Sequence, residues 1–425
     1  MVRTVMTSGT TRSTERWWTA AAVILWIAAI ALAVFYFFGN DGAGSATAMQ
    51  TTVTSATTPG NGPTQAAAVS SSTTATAEGP AGAEAPTTTT VPATTTTVAP
   101  TTTTTVPPPL TVAASGDVLG ERGPGYFMDK NGGAAVFEKV KPLLEPAMLS
   151  FVNVEGPIST TGTRASWKEY TFRGRPALAD GLASAGIDVI SLANNHSMDY
   201  GAKALLDTFV RLNDVGVQWA GAGANSAEAA APAMLITPAG IVAVLAFTDI
   251  IPGGFAAGSK SPGVNVTTSD RKKILSAVEA ANKKADFVIV SFHWGEEYTG
   301  QAARAERKLA HQVVDVGADL VLGHHPHVLQ GLELYRNRLI AYSLGDFVWD
   351  HYRPVTGETV ILQIAMQRAG PPSFVAIPIY LDEVTGVPYP VTGDHAASIL
   401  GRLAQYSSDL GLQLTIEGDR ATFAP

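Results

Sequence analysis

The sequence predicts an α/β fold for the chain from Leu110 onward. Two observations support this class: short apolar runs of strand length alternate with longer amphipathic patterns, and glycine ends several of the longer patterns. Polar side chains follow the apolar runs, which is where open α/β sheets place their sites. The predicted strands are residues 110–114, 149–152, 187–193, 287–292, 320–323 and 339–344.

Helical patterns with a period near 3.6 residues lie between these strands. They cover residues 135–145, 176–185, 202–215, 270–285 and 304–316. Gly186, Gly216 and Gly317 follow three of them, at the position where a left-handed residue commonly ends a helix. The alternation of strand and helix predicts a largely parallel sheet with helices outside it.

The C-terminal part has a different pattern. Residues 358–368 and 373–381 are strand-like runs joined through Gly370-Pro371-Pro372, which predicts an antiparallel hairpin. Residues 396–404 and 413–416 follow as a C-terminal appendage. One folded domain over residues 110–425 is therefore expected.

The first 38 residues have the pattern of a membrane anchor. Residues 17–38 form an apolar stretch about 33 Å long at ~1.5 Å per residue, enough for a transmembrane helix. Arg3, Arg12 and Arg16 precede it, and no Lys or Arg follows before Arg122, so the tail 1–16 is expected in the cytoplasm. This predicts a single-pass protein of the cell membrane with an extracytoplasmic C-terminal domain. A cleaved signal peptide is the alternative.

Residues 39–109 form a linker dominated by Thr, Ala, Pro, Ser and Gly, without hydrophobic periodicity. A disordered linker is expected, either as an extended O-glycosylated stalk or without sugar. The net charge of −8 and the lack of a basic cluster argue against nucleic acid as a partner. Because the chain has no cysteine, any metal ion must be held by nitrogen and oxygen atoms.

A short polar motif follows each predicted strand. Carboxylate, carboxamide and imidazole groups from separate strand ends can converge on one or two divalent ions, which need four to six ligands from different parts of the chain. The motifs are Ser115-Gly116-Asp117, Asn153-Val154-Glu155-Gly156, Asn194-Asn195-His196, His293-Trp294-Gly295, His324-His325-Pro326-His327 and Gly345-Asp346.

In this order the six motifs resemble those of the bacterial capsule synthesis proteins of the CapA, or poly-γ-glutamate, family, over about residues 110–350. That family is similar to the calcineurin-like metallophosphatases. The resemblance implies a four-layer α/β/β/α sandwich with a two-metal site at the strand ends. It implies two divalent ions with these metal ligands: Asp117, Glu155, Asn195, His293, His325 and His327. Mixed imidazole and carboxylate ligands suit Mn²⁺, Zn²⁺ or Fe²⁺.

The same resemblance implies a catalytic role for His196 beside the metals. Asp199 is a candidate carboxylate that orients an imidazole, and Asp346 is another. The sequence departs from the phosphatase pattern at two positions: Leu119 stands where a histidine is usual, and Glu155 replaces a bridging aspartate. Both departures put phosphatase activity in doubt.

Each candidate has an ordinary structural alternative. Asp117 could cap a turn, Glu155 could be a solvated turn carboxylate, and His293 could be a packed histidine at a strand end. Asn195 and His196 could fix a loop through local hydrogen bonds. Three histidines within four residues, by contrast, are hard to explain by packing, and His324 is the least secure ligand among them.

Arg173 and Arg175 are candidates for holding an anionic substrate by forked hydrogen bonds, or they line a surface loop. The resemblance implies an anionic capsule polymer such as poly-γ-glutamate as partner, together with membrane synthetase or export subunits. Two function classes stay open at this point. One is a metal-dependent hydrolase or transferase on the outer face, and the other is a tethered polymer-handling subunit without catalysis.

Overall fold

The computed structural model describes residues 107–267 and 271–425, and every element below lies in these ranges. The α-helices are α1 Arg122–Asn131, α2 Ala134–Phe137, α3 Lys141–Leu144, α4 Ala177–Ser184, α5 Gly201–Val215, α6 Ser226–Ala230, α7 Arg271–Asn282, α8 Arg304–Asp315 and α9 Gly393–Ser408. The strands are β1 Leu110–Val118, β2 Leu149–Val154, β3 Val189–Ser191, β4 Gln218–Ala220, β5 Ala222–Gly223, β6 Ala233–Thr237, β7 Gly240–Thr248, β8 Gly263–Val264, β9 Phe287–His293, β10 Leu320–His324, β11 Leu332–Tyr335, β12 Arg338–Ala341, β13 Asp346–Val348, β14 Glu358–Met366, β15 Ser373–Leu381, β16 Pro388–Pro390, β17 Thr415–Glu417 and β18 Arg420–Phe423.

Two sheets contain most of the strands. The first has the order β17-β18-β15-β14-β1-β2-β3-β4, with β13 beside β1 and β16 beside β15. The second has the order β11-β12-β10-β9-β7-β6. In each sheet the central strands are parallel, namely β1 to β4 in the first and β12, β10, β9 and β7 in the second. Antiparallel strands flank both parallel cores.

Alternation of side chains along the strands arranges the sheets in layers. Val112 and Ala114 of β1 share a core cluster with Val242 and Val244 of β7, so the two sheets pack face to face. Ala113, between them in sequence, joins the cluster that α1 to α5 form on the outer face of the first sheet. On the second sheet, α7 and α8 cover the outer face. The resulting order is helix, sheet, sheet, helix.

The predicted α/β class is confirmed, and so is the hairpin, because β14 and β15 pair antiparallel. The parallel strands are divided between two sheets. The alternation of strands and helices along the sequence does not predict this division. The helix predicted over residues 135–145 is wrong as one element. The chain forms α2 and α3 instead, with Pro142 in the first turn of α3. Proline has no backbone N–H, so a continuous helix would lack the bond from residue 142 to the carbonyl of Glu138.

Within residues 107–267 and 271–425, no helix has the length and apolar character needed to cross a bilayer. The predicted tail 1–16 and transmembrane segment 17–38 lie outside the described residues, as does the predicted linker up to residue 106. These three predictions stay predictions.

Candidate metal centre

The carboxyl ends of β1, β2, β9 and β10 bring the polar motifs together at one edge of the two sheets. Asp117 on β1 is in register with Asn153 on β2 and with Asp346 on β13. On the other sheet, His293 of β9 is in register with His324 of β10. Parallel pairing therefore places residues that are far apart in sequence side by side.

Three overlapping groups of side chains could each hold a metal ion, with ligand atoms within 4.8 Å of one another in each group. All members are buried. Asp117, Glu155 and His327 each belong to two of the three groups, so the groups form one continuous centre. The groups are Glu155 with His325 and His327, Asp117 with Glu155 and His293, and Asp117 with His327 and Asp346.

Glu155 is the residue that most clearly needs an outside partner. Its side chain is buried, yet neither carboxylate oxygen accepts a hydrogen bond from the described residues. Its Oε1 lies 3.7 Å from Nε2 of His293 and 3.8 Å from Nε2 of His196. Burial raises the pKa of the Glu155 carboxyl well above its ordinary value. Because an unpaired buried carboxylate is unfavourable, the chemistry of this donor set fits a divalent cation.

Asp117, in contrast, is held firmly by the protein. Its Oδ1 accepts a hydrogen bond from the Asn153 amide at 2.9 Å, and its Oδ2 accepts one from the His325 backbone N–H at 3.0 Å. Burial would raise the pKa of this carboxyl, but the nearby His324 and His327 outweigh it and lower the pKa below its ordinary value. An ionised, oriented carboxylate is the form that a metal ion requires.

The histidines after β10 have the orientation typical of metal ligands. Nδ1 of His327 bonds to Oδ1 of Asp346 at 2.7 Å, which leaves its Nε2 as the nitrogen available to a ligand. Burial opposes charge on His327, but Asp346 and Glu155 outweigh it and raise its pKa to about 10. Nδ1 of His325 is buried without a hydrogen-bond partner in the described residues. Burial lowers the pKa of His325 to about 3, which favours the neutral ligand form.

Backbone geometry supports a special role for this turn. His325 has φ 96° and His327 has φ 56°, values that side-chain-bearing residues rarely adopt. Such strained residues cluster at functional sites, where surrounding contacts hold them. A second constraint is the close approach of Gly116 to Gly345. A Cβ built on Gly116 would lie 1.8 Å from the Gly345 carbonyl oxygen, so only glycine fits beside Asp117.

His196 lies beside Glu155, and Asn195 lies beside His293. Oδ1 of Asn195 is 2.8 Å from Nε2 of His293, and Nδ1 of His196 is 2.5 Å from Oδ2 of Asp199. The bond to Asp199 fixes the imidazole and directs the opposite nitrogen of His196 towards the centre. Burial lowers the pKa of His196 to about 4.

Lys168 was not among the candidates from sequence. Its side chain contacts Asn195, His196 and Asp199. Its ammonium group lies 2.6 Å from Oδ1 of Asp199, 2.9 Å from Nδ1 of His196 and 2.5 Å from the carbonyl oxygen of Asn195. The side chain is only 13% exposed. A lysine in a loop without regular structure gives no sequence signal of such a role. Asn153 belongs to one of the polar motifs but was assigned no role. It does have a sequence signal, because it directly follows the predicted strand 149–152 and lies two residues before Glu155.

A cavity of about 710 Å³ opens beside the centre, and Asn195, His196, His327 and Asp346 line it. Its cationic lining comes from Arg122, Lys168 and Arg353. Arg173 and Arg175 do not line it: Arg173 lies over the ring of Tyr200, and Arg175 pairs with Asp129 at 3.1 Å. Their proposed contact with an anionic substrate stays a prediction. The centre itself brings together all six predicted metal ligands, with His196 and Asp199 beside them.

Comparison with known proteins gives a consistent family. The model of the bacterial capsule synthesis protein family PGA_cap matches residues 111–351, more than half of the chain. The PGA biosynthesis protein CapA of Bacillus subtilis is 29% identical over 316 residues, covering 74% of this chain and 82% of its own. The capsule biosynthesis protein CapA of Bacillus anthracis is 32% identical over 288 residues, or 67% of this chain and 70% of its own. A probable polyglutamine synthesis accessory protein of Mycobacterium tuberculosis is 31% identical over 215 residues, covering 48% of this chain and 56% of its own.

Proposed function

Because the chain belongs to the family of bacterial capsule synthesis proteins, we propose that it takes part in the synthesis, export or anchoring of an anionic capsule polymer such as poly-γ-glutamate. The names of its relatives support this role, and synthetase or export subunits of the membrane would be its partners. The capsule polymer lies outside the cell. An extracytoplasmic domain anchored by residues 17–38 is therefore part of the proposal.

The proposed orientation can be tested directly. Protease added to intact protoplasts is expected to remove the domain over residues 110–425, since the arginines before residue 17 favour an N-terminus inside. Immunoblotting against the C-terminal domain gives the readout, and a cytoplasmic marker protein serves as control. Protection of the domain from protease would place it inside and end this part of the proposal.

We also propose that two divalent ions, Mn²⁺, Zn²⁺ or Fe²⁺, occupy the centre. The observation that carries this is Glu155, whose buried carboxylate has no hydrogen-bond donor among the described residues. Overlapping ligand groups that share Asp117, Glu155 and His327 suit two neighbouring ions. The expected ligands are Asp117, Glu155, Asn195, His293, His325 and His327, with Asp346 orienting His327. When bound, such ions polarise an anionic oxygen and lower the pKa of bound water.

Hydrolysis of a phosphoester or a γ-glutamyl bond is the second candidate function, and the geometry at His196 favours it. Asp199 and Lys168 hold the Nδ1 side of the ring, and Nε2 faces the centre from the cavity wall. An imidazole held in this way can donate a proton to, or accept one from, a group in the cavity.

Complementation in a capsulated strain that lacks its own copy of the gene separates these functions. Glu155→Gln is expected to abolish polymer attachment or export, while His395→Ala, at an exposed histidine, is expected to restore it fully. If the protein is a hydrolase, His196→Ala should keep its metal and lose turnover by about 10²- to 10⁴-fold. Hydrolysis is rejected if the metal-loaded wild-type protein cleaves neither substrate and the His196→Ala variant still restores capsule formation. Unchanged polymer in the gene deletion would contradict the capsule role itself.

A further inference from the structure

The cavity beside the metal centre contains an arginine whose position is fixed by the protein. Arg122, the first residue of α1, lines this cavity together with His196 and His327. Its Nε and Nη2 donate to Oδ1 of Asp350, at 3.0 Å and 2.7 Å. The Asp350 side chain is only 12% exposed, so this partner is itself held in place. The guanidinium of Arg122 therefore keeps one orientation at the wall of the cavity.

Two aromatic rings support this guanidinium and connect it to the histidines of the site. Cζ of Arg122 lies 5.3 Å from the centre of the Phe172 ring and 5.5 Å from that of the Trp349 ring, within the range of cation–π contacts. Phe172 stacks on His196 with ring centres 4.2 Å apart. The ring centres of Trp349 and His327 are 4.8 Å apart. Each imidazole thus shares an aromatic neighbour with the guanidinium, which places Arg122 close to the centre.

The backbone at Arg122 is strained. Its φ is 52°, in the left-handed region that favours glycine. The next residue, Gly123, fits closely against the loop after β15: a Cβ there would lie 2.0 Å from the carbonyl oxygen of Val384 and 2.8 Å from Cβ of Asp350. Strained residues persist where surrounding contacts hold them, and they cluster at functional sites. The fold therefore accepts a backbone cost at the residue that carries the guanidinium.

Asp350 uses only part of the hydrogen-bonding capacity of Arg122. A guanidinium has five N–H donors in a fixed planar arrangement. Among the described residues, Nη1 of Arg122 has no hydrogen-bond partner, since the bonds of its side chain run through Nε and Nη2. The side chain is 37% exposed, so the remaining donors are accessible from the cavity. Such a planar group binds a carboxylate or a phosphate by two parallel hydrogen bonds.

The other two cations that line the cavity lack this combination. The Lys168 ammonium already lies 2.6 Å from Oδ1 of Asp199. Arg353 is exposed, and its guanidinium lies 5.0 Å from the centre of the Tyr298 ring without a hydrogen bond to the described residues. Of the cations in the described cavity lining, Arg122 is therefore the one that is both fixed in orientation and equipped with unoccupied donors.

We propose that Arg122 is the specificity residue of this cavity, where it binds an acidic group of the ligand, a carboxylate or a phosphate, by forked hydrogen bonds. This inference rests on the proposed function, because the ligand is the molecule that the metal centre holds or acts on. It adds to the sequence prediction, which assigned such contacts to Arg173 and Arg175. Glu169 and Glu297 also line the cavity, but both are exposed, so solvent screens their repulsion of an anion.

Isothermal titration calorimetry of the full-length protein, purified without chelator, tests this role with two probes, inorganic phosphate and glutarate. Arg122→Ala should bind at least one probe about tenfold or more weakly, because a charge-assisted forked contact is lost. Arg122→Lys keeps the positive charge beside Asp350 but not the fork, and should lose at least about threefold. The control Arg211→Ala removes an arginine of α5 that pairs with Asp207 at 3.1 Å and does not line the cavity. It should bind both probes like wild type.

The two probes also separate the two kinds of acidic group. A loss confined to phosphate supports a phosphate-bearing ligand, and a loss confined to glutarate supports a carboxylate-bearing one. Metal content and thermal unfolding of Arg122→Lys should match wild type, so this variant gives the answer even if Arg122→Ala does not fold.

Three results would overturn the proposal: wild-type affinity of Arg122→Lys for both probes, an equal loss in Arg211→Ala, or no binding of either probe by the wild-type protein. The second would show a response to net charge alone. If one of these results is obtained while Glu155→Gln still abolishes capsule formation, the role of Arg122 is rejected and the proposed function stands.

Discussion

The metal centre and a second polar cluster each bury a glutamate beside a histidine, and they differ in whether the protein satisfies the carboxylate. In the second cluster, which we call the Glu333 cluster, Glu333 accepts from the Tyr342 hydroxyl at 2.6 Å and lies 2.9 Å from Nε2 of His311. Glu155 in the metal centre has no such partner in the described residues. The protein therefore supplies hydrogen-bond partners to the carboxylate of Glu333, whereas the carboxylate of Glu155 needs a partner from outside the described residues.

The difference teaches how to separate a structural polar cluster from a ligand site. Burial, neighbouring histidines and perturbed pKa values occur in both. In the Glu333 cluster, burial and the bond to Glu333 raise the pKa of the Tyr342 hydroxyl far above its ordinary value, so the hydroxyl stays a donor. What distinguishes the metal centre is that Glu155 has no hydrogen-bond donor among the described residues. A buried polar group without such a partner indicates that an ion or ligand binds there.

The largest expected effect is on metal content. Asp117→Ala or His327→Ala should lower the affinity for divalent metal by at least about 100-fold, because removal of even an outer partner of a ligand costs roughly 10- to 100-fold. Elemental analysis of protein purified without chelator measures this, with circular dichroism to verify folding. Tyr342→Phe, in the Glu333 cluster, serves as control and should retain the metal. A wild-type protein without stoichiometric metal would remove the basis of the comparison.

A smaller effect is expected on stability in the Glu333 cluster. Tyr342→Phe removes one hydroxyl and leaves a buried carboxylate oxygen without its donor, which should lower the free energy of unfolding by about 1–3 kcal/mol. Urea denaturation gives the value. Tyr335→Phe is the matched control, since its hydroxyl makes only an exposed contact of 3.3 Å with Asp315. Similar stability of the two variants would mean that the Glu333 cluster does not depend on its internal bonds.

The smallest effect is expected for Glu155→Gln in metal-free protein. The substitution replaces a buried carboxyl group that accepts no hydrogen bond from the described residues, so with chelator present the free energy of unfolding should stay within about 1 kcal/mol of wild type or exceed it. Added Mn²⁺ or Zn²⁺ should stabilise wild type by about 2.7 kcal/mol at 100 times the dissociation constant, and the variant by much less. If the free energy of unfolding of the metal-free Glu155→Gln variant were lower than that of wild type by several kcal/mol, Glu155 would have a structural role.

Much of the fold was predictable from local pattern. Val112 and Ala114 alternate with Ala113 along β1, and this period of two identifies a strand wherever one residue in two meets a core. Gly216 ends α5 with φ 76°, as glycine after an amphipathic pattern predicts. The break between α2 and α3 was missed because the apolar period continues through it, although Pro142 was a usable signal.

By itself, the sequence determined the chemical types available at the site and the strand ends that present them. Asp117, Glu155, His293 and the histidines after β10 follow apolar runs, and the absence of cysteine limits any metal to nitrogen and oxygen ligands. The tertiary structure decided which carboxylate is satisfied. Hydrogen bonds to Asp117 and their absence at Glu155 depend on partners tens to hundreds of residues away. Local pattern carries no information about such partners, because strand order and register bring them together only in the folded chain.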